Sequence, residues 1–209
     1  MIGPSSSHTA GAVRLGLMAK NIYKNTPKSV TFCLYNSYAH TGKGHGTEKG
    51  LLAGVLGLGV DDRRIKDIFN SNLAKQIDYN FEYKDNFKYH PNAVDIIFDG
   101  NNKMFISGES VGAGEVEITK INDFNVKLTG KYNTVLLVYK DKPGMISQVS
   151  SLLQYHNINI ASLNCDRSGK GREASMIISV DGNISSEIID NIEEIPEVYF
   201  VSYVEKLEN

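Results

Sequence analysis

"NTVLLVYKDKPGMISQVSSLL", residues 133–153, decides how the second half of the chain folds. Its first seven residues are apolar and β-branched enough for a short buried strand, and the Asp-Lys-Pro-Gly run at 141–144 is a turn. Ile146, Val149 and Leu153 then recur at i, i+3 and i+7, the spacing of one helical face. Downstream, "INIASLNCDRS" (158–168) and "EASMIISVDG" (173–182) read as two strands joined through "GKG", a hairpin signal. Ser185 is a candidate N-cap for a helix carrying Ile188, Ile189 and Ile192, and "EVYFVSYVEKL" (197–207) closes as a strand. The predicted order is βαββαβ. Such an order folds as a ferredoxin-like layer, two helices on one face of an antiparallel sheet, because a sheet face and two helix stripes bury one another.

A boundary falls near "LTGKYNT" (128–134), dividing the chain into domains 1–130 and 131–209. The 209 residues are enough for two small cores, and 41% hydrophobic with 22% charged residues describes a globular chain rather than a disordered one. Net charge is −2 and no Lys/Arg-dense run occurs, which argues against nucleic acid as a partner. The sequence has no apolar run near the ~20 residues of a membrane helix and no basic segment leading into an apolar one, so a cytoplasmic location is expected. Cys33 and Cys165 are the two cysteines; so far apart, they fit neither a disulfide framework nor a local metal site.

The first half reads as α+β. Ala12, Leu15, Gly16, Ala19, Ile22 and Tyr23 form a helical stripe, with Pro27 as its stop. "SVTFCLYNS" (29–37) is a buried strand, "TEKGLLAGVLGLG" (47–59) a helix, and "DDRRIKDIFNSNLAKQ" (61–76) a further helix begun by two acidic residues. "DIIFDG", "KMFISGES", "GEVEITKI" and "DFNVKL" follow as strands.

Three polar stretches carry chemistry. In "GPSSSHTAG" (3–11), Gly3 and Pro4 turn the chain into a helix whose first amides fall at about residues 7–10. A helix N-terminus attracts anions; Ser5, Ser6 and Ser7 add hydroxyls, and His8 titrates near neutrality. The plain alternative is one capping serine, two solvated ones and a packed histidine. "YNSYAHTGKGHGTEKG" (35–50) reads as a Gly-rich loop holding Ser37, His40, Thr41, His45 and Thr47 among Gly42, Gly44, Gly46 and Gly50. It matches neither a P-loop nor a dinucleotide fingerprint, and its plain alternative is a mobile surface loop. "SGESVGAG" (107–114) is a ligand-approaching turn, or merely a hairpin or bulge.

These motifs, in this order and followed by the βαββαβ module opening at "DKPG", resemble the beta subunit of the bacterial iron–sulfur-dependent L-serine dehydratases, the L-serine ammonia-lyases. The resemblance spans essentially the whole chain. It implies an N-terminal domain similar to the allosteric substrate-binding domain of some phosphoglycerate dehydrogenases, and a C-terminal ACT domain. The chain departs from the family by opening at "MIGPSSSH", without a short additional segment usual there, and by reading "HGTE" where Asp often follows the Thr.

The resemblance implies conversion of L-serine to pyruvate and ammonia. A [4Fe-4S] cluster with one open iron acts in that family as the Lewis acid in place of pyridoxal phosphate, and its cysteines belong to the alpha subunit. Two distant cysteines cannot supply the three or four thiolates a cluster takes, so an alpha partner is expected to hold it. Ser5, Ser6, Ser7, His8 and Thr9, with Ser37, Thr41, His45, Gly46 and Thr47, would face that cluster. Their hydroxyls and the helix amides would hold the substrate carboxylate, while His8 or His45 polarises the substrate or relays a proton. His40 would be peripheral, and His90 and His156 structural. In the ACT domain, Asp141 and Gly144 at the turn and Asn157 and Ile158 in "NINI" are candidates for binding an amino-acid effector. The alternative is a module that only dimerises, with Asp141 capping its helix and the "EVYFVSYV" edge pairing with a second copy. Two rival functions differ in kind. One is a serine-sensing module without catalysis; the other, a pyridoxal-phosphate lyase, lacks a Gly-rich phosphate cup beside a Schiff-base lysine.

Overall fold

A computed structural model of the chain describes residues 5–207; the Gly3–Pro4 turn expected from the sequence lies outside them. The chain divides into two compact units, one up to Asn122 and one from Asp123 onward. Among the described residues no helix is long and apolar enough to cross a membrane.

The first unit is built on strands β1 (Ser29–Tyr35), β2 (Asp78–Lys84), β3 (Ala93–Asp99), β4 (Met104–Gly112) and β5 (Glu115–Ile121), in the order β2-β1-β3-β4-β5. Only the β1–β2 pair is parallel, which demands a crossover, and α2 (Ser37–His45) and α3 (Thr47–Val55) lie within it. Side chains alternate across the sheet. Val30, Phe32 and Leu34 of β1 with Val94, Ile96 and Phe98 of β3 are fully buried on one face, while Cys33, Tyr35 and Ala93 pack with Tyr89 and Ile97 on the other. Helix α1 (Gly11–Tyr23) buries Ala12, Leu15, Gly16, Ala19, Ile22 and Tyr23, the stripe read from the sequence, and also Val13 and Met18. It ends before Pro27, at Lys24, which turns left-handed with φ 62° and closes its N–H on the Lys20 carbonyl.

Helices α1 and α3 lie almost backbone to backbone. A Cβ at Gly54 would sit 2.1 Å from the Val13 carbonyl oxygen, and one at Gly16 2.5 Å from that of Leu51.

Two segments differ from their sequence reading. Residues 37–45 are a helix, not a loop: glycine weakens helix propensity, but here Gly42 lets the Thr47 side chain lie against it, and Gly46 at φ 76° ends one helix and starts the next. Residues 61–76 are not one α-helix but two short 3-10 segments, Arg63–Asn70 and Ala74–Gln76, the first kinked at Asp67. Local side chains take over the backbone there: Asp62 accepts from the Arg64 amide at 2.9 Å and Ser71 from the Ala74 amide at 3.1 Å.

The second unit opens with β6 (Phe124–Leu128) and continues through β7 (Asn133–Lys140), α4 (Met145–Tyr155), β8 (Ile160–Arg167), β9 (Glu173–Val180), α5 (Ser186–Glu193) and β10 (Val198–Val204). The antiparallel sheet order β10-β7-β9-β8 is the ferredoxin-like arrangement that the βαββαβ pattern predicts. Val135, Leu137, Met176 and Ile178 of the sheet close a core with Val149 and Leu153 of α4 and Ile188 and Ile192 of α5. The α4 stripe is shifted from its expected start. Gly144, at φ 94°, sets the helix going so that Met145 faces inward with Val149 and Leu153, and Ile146 is 48% exposed.

Candidate functional site

Ser5 has extended backbone, and its Oγ accepts from the His8 amide at 3.2 Å, so it is the serine that caps the helix. A π-helical turn, Ser6–Ala10, then runs into α1. His8 stands on this turn and reaches α2. Its Nε2 is 2.9 Å from the Thr41 hydroxyl and 3.4 Å from that of Ser37, and its Nδ1 is 3.4 Å from Ser5 Oγ. Ser37 and Thr41 are four residues apart on one helix, hence on one face.

The tautomer follows from proton counting. Thr41 donates its single hydroxyl proton to the Ser37 carbonyl at 2.8 Å, so toward His8 it accepts. Neutral His8 therefore carries its proton on Nε2, and Nδ1 keeps a lone pair on the Ser5 side. Burial first, and then the charge of His45, hold the His8 pKa below the usual histidine value. Both causes favour the neutral imidazole over the cation.

The surroundings fix this geometry. The His45 ring is centred 5.1 Å from that of His8, and Thr9 Oγ1 donates to the His45 carbonyl at 2.8 Å, tying the end of α2 to the start of α1. Tyr38 is completely buried, its phenol pushed up in pKa by burial, and its hydroxyl donates to the Ser7 carbonyl at 2.8 Å. Asn36 precedes α2 at φ 49° and ψ −115°, a strained conformation, and its side chain compensates. Nδ2 donates to the carbonyls of Asn86 and Tyr89, and Oδ1 accepts from the Asn86 amide. Neither Tyr38 nor Asn36 is singled out by the sequence reading.

The fold thus brings together Ser5, His8, Thr9, Ser37, Thr41 and His45. Ser6 is exposed beside them and Ser7 is half-buried. Gly46 is the left-handed link between α2 and α3. Thr47 is beneath the site rather than open to it: the residue is fully buried and its hydroxyl has no hydrogen-bond partner among the described residues. His40 turns to Asp85, with Nε2 2.6 Å from the carboxylate; His90 accepts from the Asn92 amide, and His156 packs edge-on against Tyr155. The 107–114 stretch is a bulged hairpin between β4 and β5. It presses on the start of α1, where a Cβ at Gly11 would overlap Ser110 and where Arg14 donates to the Gly114 carbonyl.

In the second unit, the Asp141 carboxylate accepts from the Gly171 amide at 2.9 Å and lies 3.5 Å from Arg167; it does not cap α4, whose N-cap is Gly144. Asn157, left-handed at φ 57°, and Ile158 follow the other end of that 11-residue helix, about 16 Å away at 1.5 Å per residue. A single small amino acid cannot span both ends within one copy.

Cys33 is buried in the first unit and Cys165 exposed in the second, and among the described residues no three His, Cys, Asp or Glu side chains converge on a metal position.

A cluster of hydroxyl-bearing side chains around His8 at a helix start, on an α+β unit followed by a ferredoxin-like unit, defines a two-unit protein with a polar side-chain cluster on its first unit. Residues 1–104 match the family model described as serine dehydratase beta chain, and residues 135–200 that of the AHAS small subunit-like ACT domain. The chain is 38% identical over 205 residues to the probable L-serine dehydratase, beta chain, of Bacillus subtilis, covering 98% of this chain and 93% of that one. It is 39% identical over 212 residues to the L-serine dehydratase, beta chain, of Peptoniphilus asaccharolyticus, covering 98% and 94%. A D-3-phosphoglycerate dehydrogenase of Bacillus subtilis is 25% identical over 160 residues, which is 75% of this chain but 30% of that enzyme. The chain belongs to the serine dehydratase beta-chain family.

Proposed function

We propose that this chain is the subunit of a [4Fe-4S]-dependent L-serine dehydratase that binds and orients the substrate, and that the cluster is carried by an alpha subunit whose surface closes over the His8 cup. The observation that carries the reading is the His8 arrangement itself: a neutral imidazole, fixed in tautomer by Thr41, at a serine-capped helix N-terminus. The carboxylate of L-serine is held by the hydroxyls of Ser6, Ser7 and Ser37 and by the helix dipole. His8 takes up a proton at Nδ1, the nitrogen left with a lone pair, and His45 lines the opposite wall of the cup. Gly46 and Thr47 act indirectly, by holding α2 against α3. The ACT-type unit supplies regulation or self-association, with Asp141 and Gly144 as the ligand-facing end of α4. Pyridoxal phosphate has no part in this reading, and the complex works in the cytoplasm.

Anaerobic co-expression with the candidate alpha chain tests it, with pyruvate from L-serine assayed for the pair and for each chain alone. Pyruvate from the pair only is the expected result. No complex and no pyruvate, with L-serine still bound by this chain alone, would replace the catalytic role with that of a sensor.

A further inference from the structure

The outer face of the first sheet, opposite the α1–α3 layer, holds a thiol, an amine and a carboxylate in mutual contact that the proposed reaction does not use. Cys33 is 3% exposed on β1 and sits directly across from Glu82 on β2; Lys84, two residues further along β2, leans back over it. The Cys33 thiol donates to Glu82 Oε2 at 3.4 Å, Lys84 Nζ is 3.5 Å from Cys33 Sγ, and the same Nζ pairs with Glu82 Oε2 at 2.8 Å. One carboxylate oxygen therefore touches both protonated groups, and the nitrogen stands next to the sulfur.

We propose that Cys33 and Lys84 form an oxidative modification site, at which a hydroperoxide converts the pair to a covalent sulfur–nitrogen crosslink between β1 and β2. In the first step Glu82 takes the thiol proton and the sulfur attacks peroxide. An S–O bond forms, the O–O bond breaks, and the leaving hydroxide takes the proton back from Glu82 and departs as water, so that sulfur loses two electrons to the peroxide and becomes a sulfenic acid. A sulfenic acid condenses with a backbone nitrogen to a sulfenamide, and the Lys84 amine, 3.5 Å from the sulfur, offers a nitrogen lone pair for the same condensation. In the second step Lys84 Nζ, its proton passed to Glu82, attacks the sulfur; the S–N bond forms, the S–O bond breaks and the oxygen departs as a second water. Thiol, amine and hydrogen peroxide thus give one sulfenamide and two waters. A small thiol reverses it by attacking the sulfur, so that an S–S bond forms as the S–N bond breaks and the amine is freed, and a second thiol then displaces the Cys33 thiol and leaves as the small disulfide. Burial raises the pKa of the Cys33 thiol, so at rest the group is protonated and depends on Glu82 for its activation.

The crosslink would lie at the end of β1 that leads into Asn36 and α2, and the Asn36 amide already bonds the Lys84 carbonyl at 3.0 Å.

The test is hydrogen peroxide treatment of the full-length chain carrying Cys165→Ser, so that no disulfide between the two cysteines is available. Intact mass is expected to fall by two hydrogens, peptide mapping to join the Cys33 and Lys84 peptides, and dithiothreitol to restore both. Lys84→Arg, which keeps the charge beside Glu82, should instead accumulate a sulfenic acid that dimedone traps. Mapping of the unaltered chain should give the same linked peptides. Oxygen retained on Cys33 with Lys84 unlinked, or an unmodified Cys33, would overturn the proposal.

Discussion

At the residue scale, the property that matters is the charge of His8. Its folded pKa lies below the unfolded value of about 6.5, because burial and His45 both disfavour the cation. Between those two values the unfolded chain binds more protons than the folded one. Stability is therefore unaffected above about pH 6.5 and falls as pH drops through that window. Urea denaturation across the window should show this loss, and His8→Gln, which cannot titrate, should flatten it. An NMR titration of the His8 ring should give a midpoint below about 6.5, and His45→Ala should raise it only partway, since burial is the larger cause. In the proposed complex with an alpha chain, His8→Ala is expected to lower turnover by about 100-fold or more while leaving complex formation intact on gel filtration; turnover near wild type would remove His8 from the reaction. Ser5, His8, Ser37 and Thr41 were legible in the sequence because polar side chains crowd a helix start and a Gly-rich stretch. Tyr38 and Asn36 were not, because their work is done with the carbonyl of Ser7 and with Asn86 and Tyr89, contacts that exist only after the chain has folded.

At the scale of elements, the glycines of α2 and α3 look alike in sequence and differ in role. Gly54 faces the backbone of α1, and Gly54→Ala forces a methyl to within 2.1 Å of the Val13 carbonyl oxygen, which only a separation of the helices relieves. Overpacking of this kind is expected to destabilise by about 3 kcal/mol or more. Gly44 has nothing within 4 Å of its Cβ position, and Gly44→Ala should stabilise by up to about 1 kcal/mol through helix propensity. Thermal unfolding of the two variants would thus move in opposite directions, and a Gly54→Ala variant as stable as the parent would refute the close α1–α3 contact. The same glycines explain why residues 37–45 read as a loop. Composition reports propensity, whereas their role is steric and depends on which helix lies opposite. The βαββαβ unit was legible because its apolar periods and turn residues agree; even there Ile146 misled, since the stripe is set by where Gly144 starts the helix. The 61–76 segment read as a helix from its two leading acidic residues, but Asp62 and Ser71 offered its backbone nearer partners.

At the scale of the whole molecule, the chain consists of two cores, and the question is which residues each needs. The Gly-Lys turn marks a break near residue 130, yet compactness starts the second unit at Asp123, because β6 packs with β8 and β9. Along β6 burial alternates: Phe124, Val126 and Leu128 are buried while Asn125 and Lys127 are exposed, and the Asn125 amide donates to Asp166 of β8 at 3.1 Å. The buried cluster around Val135, Leu137, Met176 and Ile178 is built without Phe124, Val126 and Leu128, so β6 contributes as cover over β8 and β9. Each buried side chain of this size contributes on the order of 2 kcal/mol, an upper estimate because denatured chains already bury some surface. A fragment of residues 123–209 should therefore unfold cooperatively, with a higher urea midpoint than a fragment of residues 131–209, which exposes the surface that β6 covers. Equal midpoints for the two fragments would mean that β6 adds nothing to this core, and that the ACT-type unit is complete from the Gly-Lys turn onward.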